Sequence, residues 1–265
     1  MEDASPTDDT PLQESFFKDK VIAINGGDGP MYKETADILR SQGARISWAS
    51  NLTMNAHGIR GINQCGRNER TLIWYVDVRK EEHIQIWIEE TIELWGTIYG
   101  FVNLGWGSRL NVVGTSVQNL DIDEMRFRID TALIGTAVLL KTELAHVVPG
   151  GSIVNVSSVW GQHGLAKHAE LCAAEAGIQA LTRCAARECA EQGVRVNAIA
   201  VGFVQNNTAS FIETAPAMAA ALMKKVPLQR FGDNAEVGNL VEFLLSDKSA
   251  YMTGNIVNID GGIKG

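Results

Sequence analysis

Two serines, Ser157 and Ser158, close the β-branched run GGSIVNVSSVWG, and the alanine-rich segment AELCAAEAGIQALTRCAARECA follows shortly after. Apolar positions in that segment recur at three and four residues, the pattern of a helix with one buried face. A buried strand feeding a long helix is half of a βαβ unit, and open α/β sheets bind ligands outside the carboxyl ends of their strands. Ser158 is therefore a candidate hydrogen-bond donor on the floor of a site. Leu171 and Glu175 stand one turn apart on the following helix; Leu171 can transfer no proton, whereas Glu175 brings a carboxyl group. His163 and His168, in the connection, are the nearest proton carriers, since an unperturbed imidazole titrates at about 6.5. Trp106 and Trp160 both follow strands at one sheet edge and, with Phe203, are candidates for the wall of an apolar pocket.

A second group of residues reads as a phosphate cradle. Lys20 to Asn25 (KVIAIN) is a buried first strand, and GGDGPMYKETADILRSQGA after it is a glycine-rich turn opening a helix. Small residues let the backbone approach a pyrophosphate, and the free N–H groups of a helix start favour its charge. Asn25, Gly26, Gly27 and Gly29 are the candidates, while Pro30 removes a donor and Tyr32 adds a ring. The next strand, Ala44 to Ser50 (ARISWAS), ends at Ser50 and Asn51 with no acidic residue to hold ribose hydroxyls and repel a 2′-phosphate. NADP(H) is the cofactor expected from that absence, with Arg60 as a possible phosphate contact. No cysteine spacing suits a metal; Cys65, Cys172, Cys184 and Cys189 are read as small apolar packing groups.

Strands alternating with helices have to carry these residues. Thr71 to Val76 is a third strand, Glu81 to Trp95 an amphipathic helix, Ile98 to Asn103 a fourth strand, and Asp123 to Val148 a long helix. Val194 to Ala200 is a later strand and Asn234 to Leu245 a helix, while Asn55 to Arg70, polar and dotted with glycine, reads as a loop. The opening MEDASPTDDTPLQES is too acidic and polar to pack, so residues 1–16 are expected to form a disordered tail and 17–265 a single α/β domain. Dispersed basic residues and a net charge of −8 argue against a nucleic-acid surface. No apolar run is long enough to span a bilayer and no secretory leader is evident, so a cytoplasmic protein is expected.

The phrase SIVNVSSVWG and the helix after it resemble the short-chain dehydrogenase/reductase family, whose strand-end Ser is followed about a dozen residues later by Tyr-x-x-x-Lys. The resemblance runs from about Phe17 to the closing YMTGNIVNIDGG, and implies a doubly wound Rossmann-type domain with a mainly parallel, seven-stranded sheet flanked by helices. Its glycine motif, TGxxxGxG, aligns Asn25 with the Thr, Gly26 with the first Gly, and Pro30 and Tyr32 with the others. By the same resemblance Asp77 and Val78 contact the adenine ring, and Asn103 and Gly105, in Val-Asn-Leu-Gly, close over the cofactor. VGFVQNNT covers the nicotinamide with Gly202 and Val204, although Val201 replaces the family's Pro and Asn206 its Thr. Thr208 to Leu228 would be the substrate lid.

The catalytic positions depart from that pattern. Leu171 stands where the Tyr belongs, Glu175 where the Lys belongs, and Ala132 where the helix carries a catalytic Asn; Ser158 alone is retained. Ordinary ketone reduction is thereby disfavoured, because the phenol that transfers the proton is gone. Glu175 is left as an acceptor for ribose hydroxyls. The loss of Tyr and Lys, with the chain length, is similar in kind to fungal short-chain reductases of bicyclic indole alkaloid assembly. It implies a small-molecule enzyme of specialised biosynthesis, alkaloid or polyketide, that reduces an iminium or directs a cyclisation. A redox-neutral cyclase or isomerase, and a noncatalytic partner in an oligomer, are the alternatives. The helix after Leu171 has small apolar residues on more than one face, which, with the resemblance, implies a homo-oligomer, a dimer or tetramer.

Overall fold

The computed structural model describes residues 15–27, 29–50, 63–68, 70–105, 114–205 and 216–263. Its strands are β1 (Val21–Gly26), β2 (Arg45–Ser50), β3 (Asn63–Asn68), β4 (Thr71–Tyr75), β5 (Ile98–Asn103), β6 (Val147–Ser158), β7 (Arg195–Val201) and β8 (Ile256–Ile259). They form one sheet in the order β3-β4-β2-β1-β5-β6-β7-β8. Seven of these strands are parallel, as expected, and β3 adds an antiparallel edge against β4. That edge corrects the reading of Asn55 to Arg70 as loop. The run NQCGRN has no apolar alternation, and its pairing is supplied by the open hydrogen-bonding edge of β4, with a register shift between Gln64 and Gly66.

Successive residues of β1 serve opposite faces, as a strand's period of two requires. Val21 and Ala23 join the cluster holding Ile84, Trp87 and Ile88 of α2 (Glu81–Trp95), Leu139 and Leu140 of α4 (Gly135–His146), and Ala185 and Ala186 of α6 (Ala169–Glu188). Ile22 and Ile24 join the opposite cluster, with Leu39 of α1 (Pro30–Ser41) and Val237, Val241 and Leu244 of α8 (Asn234–Leu245). Phe17 is fully buried in that second cluster. Two short helices are added along the chain: α5 (Trp160–His163) directly follows β6, and α7 (Pro216–Met223) precedes α8.

The long helix expected from Asp123 to Val148 starts at α3 (Ile122–Arg128), passes through a π-helical stretch at Ile129–Ile134, and continues as α4. Thr136 donates to the Ala132 carbonyl at 2.7 Å, serving one backbone group of the widened turn. Gly177 meets this stretch: a Cβ there would lie 2.7 Å from the Leu133 side chain, so α6 and the π turn touch at that glycine.

Cys189 is buried, Cys172 is half-buried and accepts from the Leu165 N–H at 3.1 Å, and Cys184 is exposed. Cys184 therefore corrects the reading of the cysteines as packing groups, because it falls on the outer face of α6. Arg195, a buried cation on β7, donates to the carbonyls of Leu244, Leu245, Ser246 and Ser249 at 2.8 to 3.3 Å. It holds the carboxyl end of α8, where free carbonyls and the helix dipole favour positive charge.

Candidate functional site

β1 lies between β2 and β5, so successive connections leave it on opposite sides and open a crevice beyond its carboxyl end. Around that crevice the sheet presents Asn25 and Gly26 from β1, Ser50 from β2, Asn103 from β5, Ser157 and Ser158 from β6, and Val201 with Gly202 and Val204 beyond β7. Asn51, Arg60, Trp106, Asn206 and residues 208–215 of the expected lid, with the tail up to residue 14, lie outside the described residues.

The glycine turn is rebuilt around Tyr32. Pro30 occupies the first turn of α1, with Gly29 as its N-cap, where a missing N–H costs nothing. Tyr32 is only 2% exposed, and its hydroxyl donates to the Gly105 carbonyl at 2.9 Å. A Cβ at Gly26 would sit 2.2 Å from the Tyr32 ring, so the ring lies directly on that glycine. Gly27 is also in reach of the ring, at 3.4 Å for a Cβ. The aromatic ring thus ties the start of α1 to the loop after β5.

Asp77 bonds both its oxygens to Arg79, at 2.9 and 2.8 Å, and that guanidinium holds its carboxyl below the usual carboxylate range. Val78 is core, packed against Gly135, where a Cβ would lie 2.9 Å from its side chain. Asn103 turns its amide into the helical layer: Nδ2 donates to Glu143 at 3.0 Å and to Asn155 at 2.9 Å, and Asn155 in turn donates to Thr182. Burial pushes the Glu143 carboxyl up to about 8, so it is mainly neutral at pH 7. Among the described residues its Oε1 and the Asn103 Oδ1 lack partners, as does the Asn25 Nδ2.

At the end of β6, Ser158 donates to the Val201 carbonyl at 3.3 Å and accepts from the Trp160 N–H. Beneath it the side chains of α6 form the floor. Leu171 is 5% exposed and Glu175 8% exposed. Gln179, one turn beyond Glu175, donates to Ser157 Oγ at 3.0 Å and to the Ser158 carbonyl at 2.9 Å. α5 presses on α6 here, because a Cβ at Gly161 would lie 2.7 Å from the Glu175 carbonyl carbon. Burial raises the Glu175 carboxyl to about 7, against the opposing pull of the Ser157 hydroxyl, the Ser158 amide and the Arg128 charge. Its Oε2 has no partner among the described residues.

Trp160 and Phe203 meet edge to face at 5.7 Å between ring centres, and Phe231 extends the aromatic wall at 6.0 Å from Phe203. His163 is exposed on α5. His168 is half-buried, packed where a Cβ on Gly114 would meet its ring at 2.8 Å, and burial lowers its pKa despite Glu170 at 4.0 Å. Ala132 lies in the π turn, partly covered. The structure therefore gathers Ser158, Glu175, Trp160 and Phe203 about the end of β6 and buries Leu171 one turn before Glu175 on α6, whereas His163 is exposed.

Three residues of this region escaped sequence reasoning. Glu143 follows Leu139 and Leu140 on one apolar helix face, and a carboxyl interrupting such a stripe is a readable signal. Gln179 lies one turn beyond Glu175 on the same face. Arg128 carries no comparable signal. Among the described residues no group of His, Cys, Asp and Glu could hold a metal ion, and no helix is long and apolar enough to cross a membrane.

The comparisons with known proteins agree on the whole chain's kind. A family model described as enoyl-(acyl carrier protein) reductase matches residues 32–264. The short-chain dehydrogenase/reductase aba4 of Botryotinia fuckeliana is 35% identical over 250 residues, covering 93% of this chain and 97% of that protein. The 3-oxoacyl-(acyl-carrier-protein) reductase of Homo sapiens is 30% identical over 248 residues, covering 93% of this chain and 98% of its own. Among solved structures, levodione reductase superposes with a TM-score of 0.80 at 27% identity, over 93% of this chain and 98% of that one.

Proposed function

The chain belongs to the short-chain dehydrogenase/reductase family, whose members bind NAD(P)(H), and on that premise we propose that it is a nicotinamide-dependent reductase acting on an iminium carbon in specialised biosynthesis. The observation carrying this reading is Leu171, buried at the place where the family's proton-transferring Tyr belongs. Hydride addition to a carbonyl leaves an alkoxide that needs a proton, and the phenol that would give it is missing. Addition to an iminium leaves a neutral amine, so no such donor is required at that point.

The residues present fit a dinucleotide. The crevice at the strand-order reversal carries Gly26 and Gly27 at its turn, and the buried, unpartnered Asn25 Nδ2 and Glu175 Oε2 offer a donor and an acceptor at its floor. When bound, the cofactor supplies the hydride. Ser50, in place of a carboxylate at the end of β2, supports NADP(H). Ser158 would hold a polar substrate group, and Trp160 with Phe203 would present aromatic faces that suit a cation. Orientation over the cofactor then does most of the catalytic work, and positioning of this kind removes on the order of 7 to 11 kcal/mol from a barrier.

A panel of cyclic imines, ketones and alcohols incubated with NADPH tests the reading by absorbance and mass spectrometry. Oxidation of NADPH with an imine and none with a ketone supports it; the reverse refutes it. The Tyr32 ring on the glycine turn supports a second reading, a redox-neutral cyclase or isomerase in the same cavity. Product formation without any nicotinamide would favour that second reading.

A further inference from the structure

The reading above uses Glu175 only as an acceptor at the cofactor floor and leaves the proton of its carboxyl without a role. It sits on α6 one turn after Leu171, beneath the Ser158–Gly161 turn, with Oε2 buried and unpartnered among the described residues. The charged and titratable groups that interact with it are Arg128 from α3 and, along α6 itself, Cys172. The uncharged Ser157 hydroxyl and the Ser158 N–H also face it, and the Gln179 amide holds Ser157 and the Ser158 carbonyl in place. Among these described groups no cation bonds it directly, so the carboxyl is neither locked as a salt bridge nor sealed in hydrocarbon.

We propose that Glu175 protonates a neutral imine bound on this floor and remains as the counter-charge of the iminium it creates. The proposal rests on the iminium reading and adds how the cation arises and which substrate class enters. In the step, the carboxyl O–H bond breaks and an N–H bond forms on the imine lone pair. A neutral pair becomes an ion pair, and no electrons leave or enter the protein.

Matching proton affinities favour an imine over a carbonyl. A carboxyl titrating at about 7 is close to an imine nitrogen in proton affinity, and acid catalysis is most efficient when the catalytic group's affinity lies near the working pH. A carbonyl oxygen is far too weak a base to take its proton. The ion pair would also form where water is excluded, so the attraction between carboxylate and iminium is less screened than at a surface.

The test needs no cofactor, which separates it from the reductase reading. 3,4-Dihydroisoquinoline absorbs at longer wavelength when protonated, so its titration can be followed on the protein as purified. The native protein should raise the proton affinity of the bound probe at least tenfold over the free probe, and Glu175→Gln should abolish that rise while still binding. Infrared difference spectra of the native protein guard against a misfolded variant: probe binding should replace a carboxylic-acid carbonyl band with carboxylate bands. A bound probe that titrates like the free one, an equal rise in a folded Glu175→Gln protein, no loss of the carboxylic-acid band, or no binding up to millimolar probe would each overturn the proposal. Protonation of the probe without NADPH oxidation by any imine would leave Glu175 as the proton donor and refute the reductase reading alone.

Discussion

Replacing Glu143 by Gln should make the protein more stable, and by an amount that grows with pH. Glu143 is fully buried between the helical layer and the sheet, accepting from the Asn103 amide at 3.0 Å. In the unfolded chain its carboxyl ionises at the ordinary 4.5, whereas burial raises it to about 8 in the folded state. A folded value above the unfolded one means that its contribution is fully present below pH 4.5 and is lost as pH rises through about 8. At roughly 1.4 kcal/mol for each tenfold change in proton affinity, holding the acid neutral costs about 3 kcal/mol at pH 7 and about 5 kcal/mol above pH 8. Gln keeps an oxygen for the Asn103 donor and places an amide N–H group at the unpartnered Oε1, with the unpartnered Asn103 Oδ1 on the same partner residue. It never titrates. The two proteins should therefore be nearly equal in stability at pH 5, and the variant should melt roughly 5 to 10 °C higher at pH 7. Thermal unfolding at one protein concentration from pH 5 to 8.5 reads the difference, and the contribution of Glu175, present in both proteins, cancels. Parallel pH curves, or a variant that melts lower at pH 8, would refute the argument that the buried carboxyl carries the shift.

Three further outcomes are expected. Calorimetric titration should find NADPH bound more tightly than NADH, because β2 ends in Ser50 rather than a carboxylate; equal affinities or a preference for NADH would reject this. Arg195→Met strips the carbonyls of Leu244, Leu245, Ser246 and Ser249 of a buried donor, at a cost of roughly 3 kcal/mol or more, and a melting temperature within a degree of native would disprove the capping role. Light scattering at micromolar concentration should give a dimer or tetramer, since Ala173, Ala180 and Cys184 leave small side chains exposed on α6; a monomeric mass refutes it.

Much of the architecture was legible in the chain. Buried parallel strands such as KVIAIN and SIVNVSS are unbroken apolar or β-branched runs, and the apolar stripe of α2 repeats at helical spacing, so local chemistry alone identifies them. The helices Glu81–Trp95 and Asn234–Leu245 have the bounds expected from periodicity. The reading that Leu171 and Glu175 stand where the family carries Tyr and Lys needs only residue identity and spacing.

Other features depended on partners distant in the chain. β3 exists because β4 offers a free edge, and a polar strand whose stability comes from backbone pairing leaves no side-chain period to read. Tyr32 looked like damage to a glycine turn; only the approach of Gly105 to its hydroxyl and of Gly26 to its ring makes it a clasp. A carboxyl group on a helix reads as solvated unless something covers it. For Glu175 the cover is the turn after β6, pressed close at Gly161, and for Glu143 it is the facing amide of Asn103. The sequence determined which groups could titrate, and tertiary burial decided their proton affinities, because desolvation depends on what the rest of the fold lays over each group.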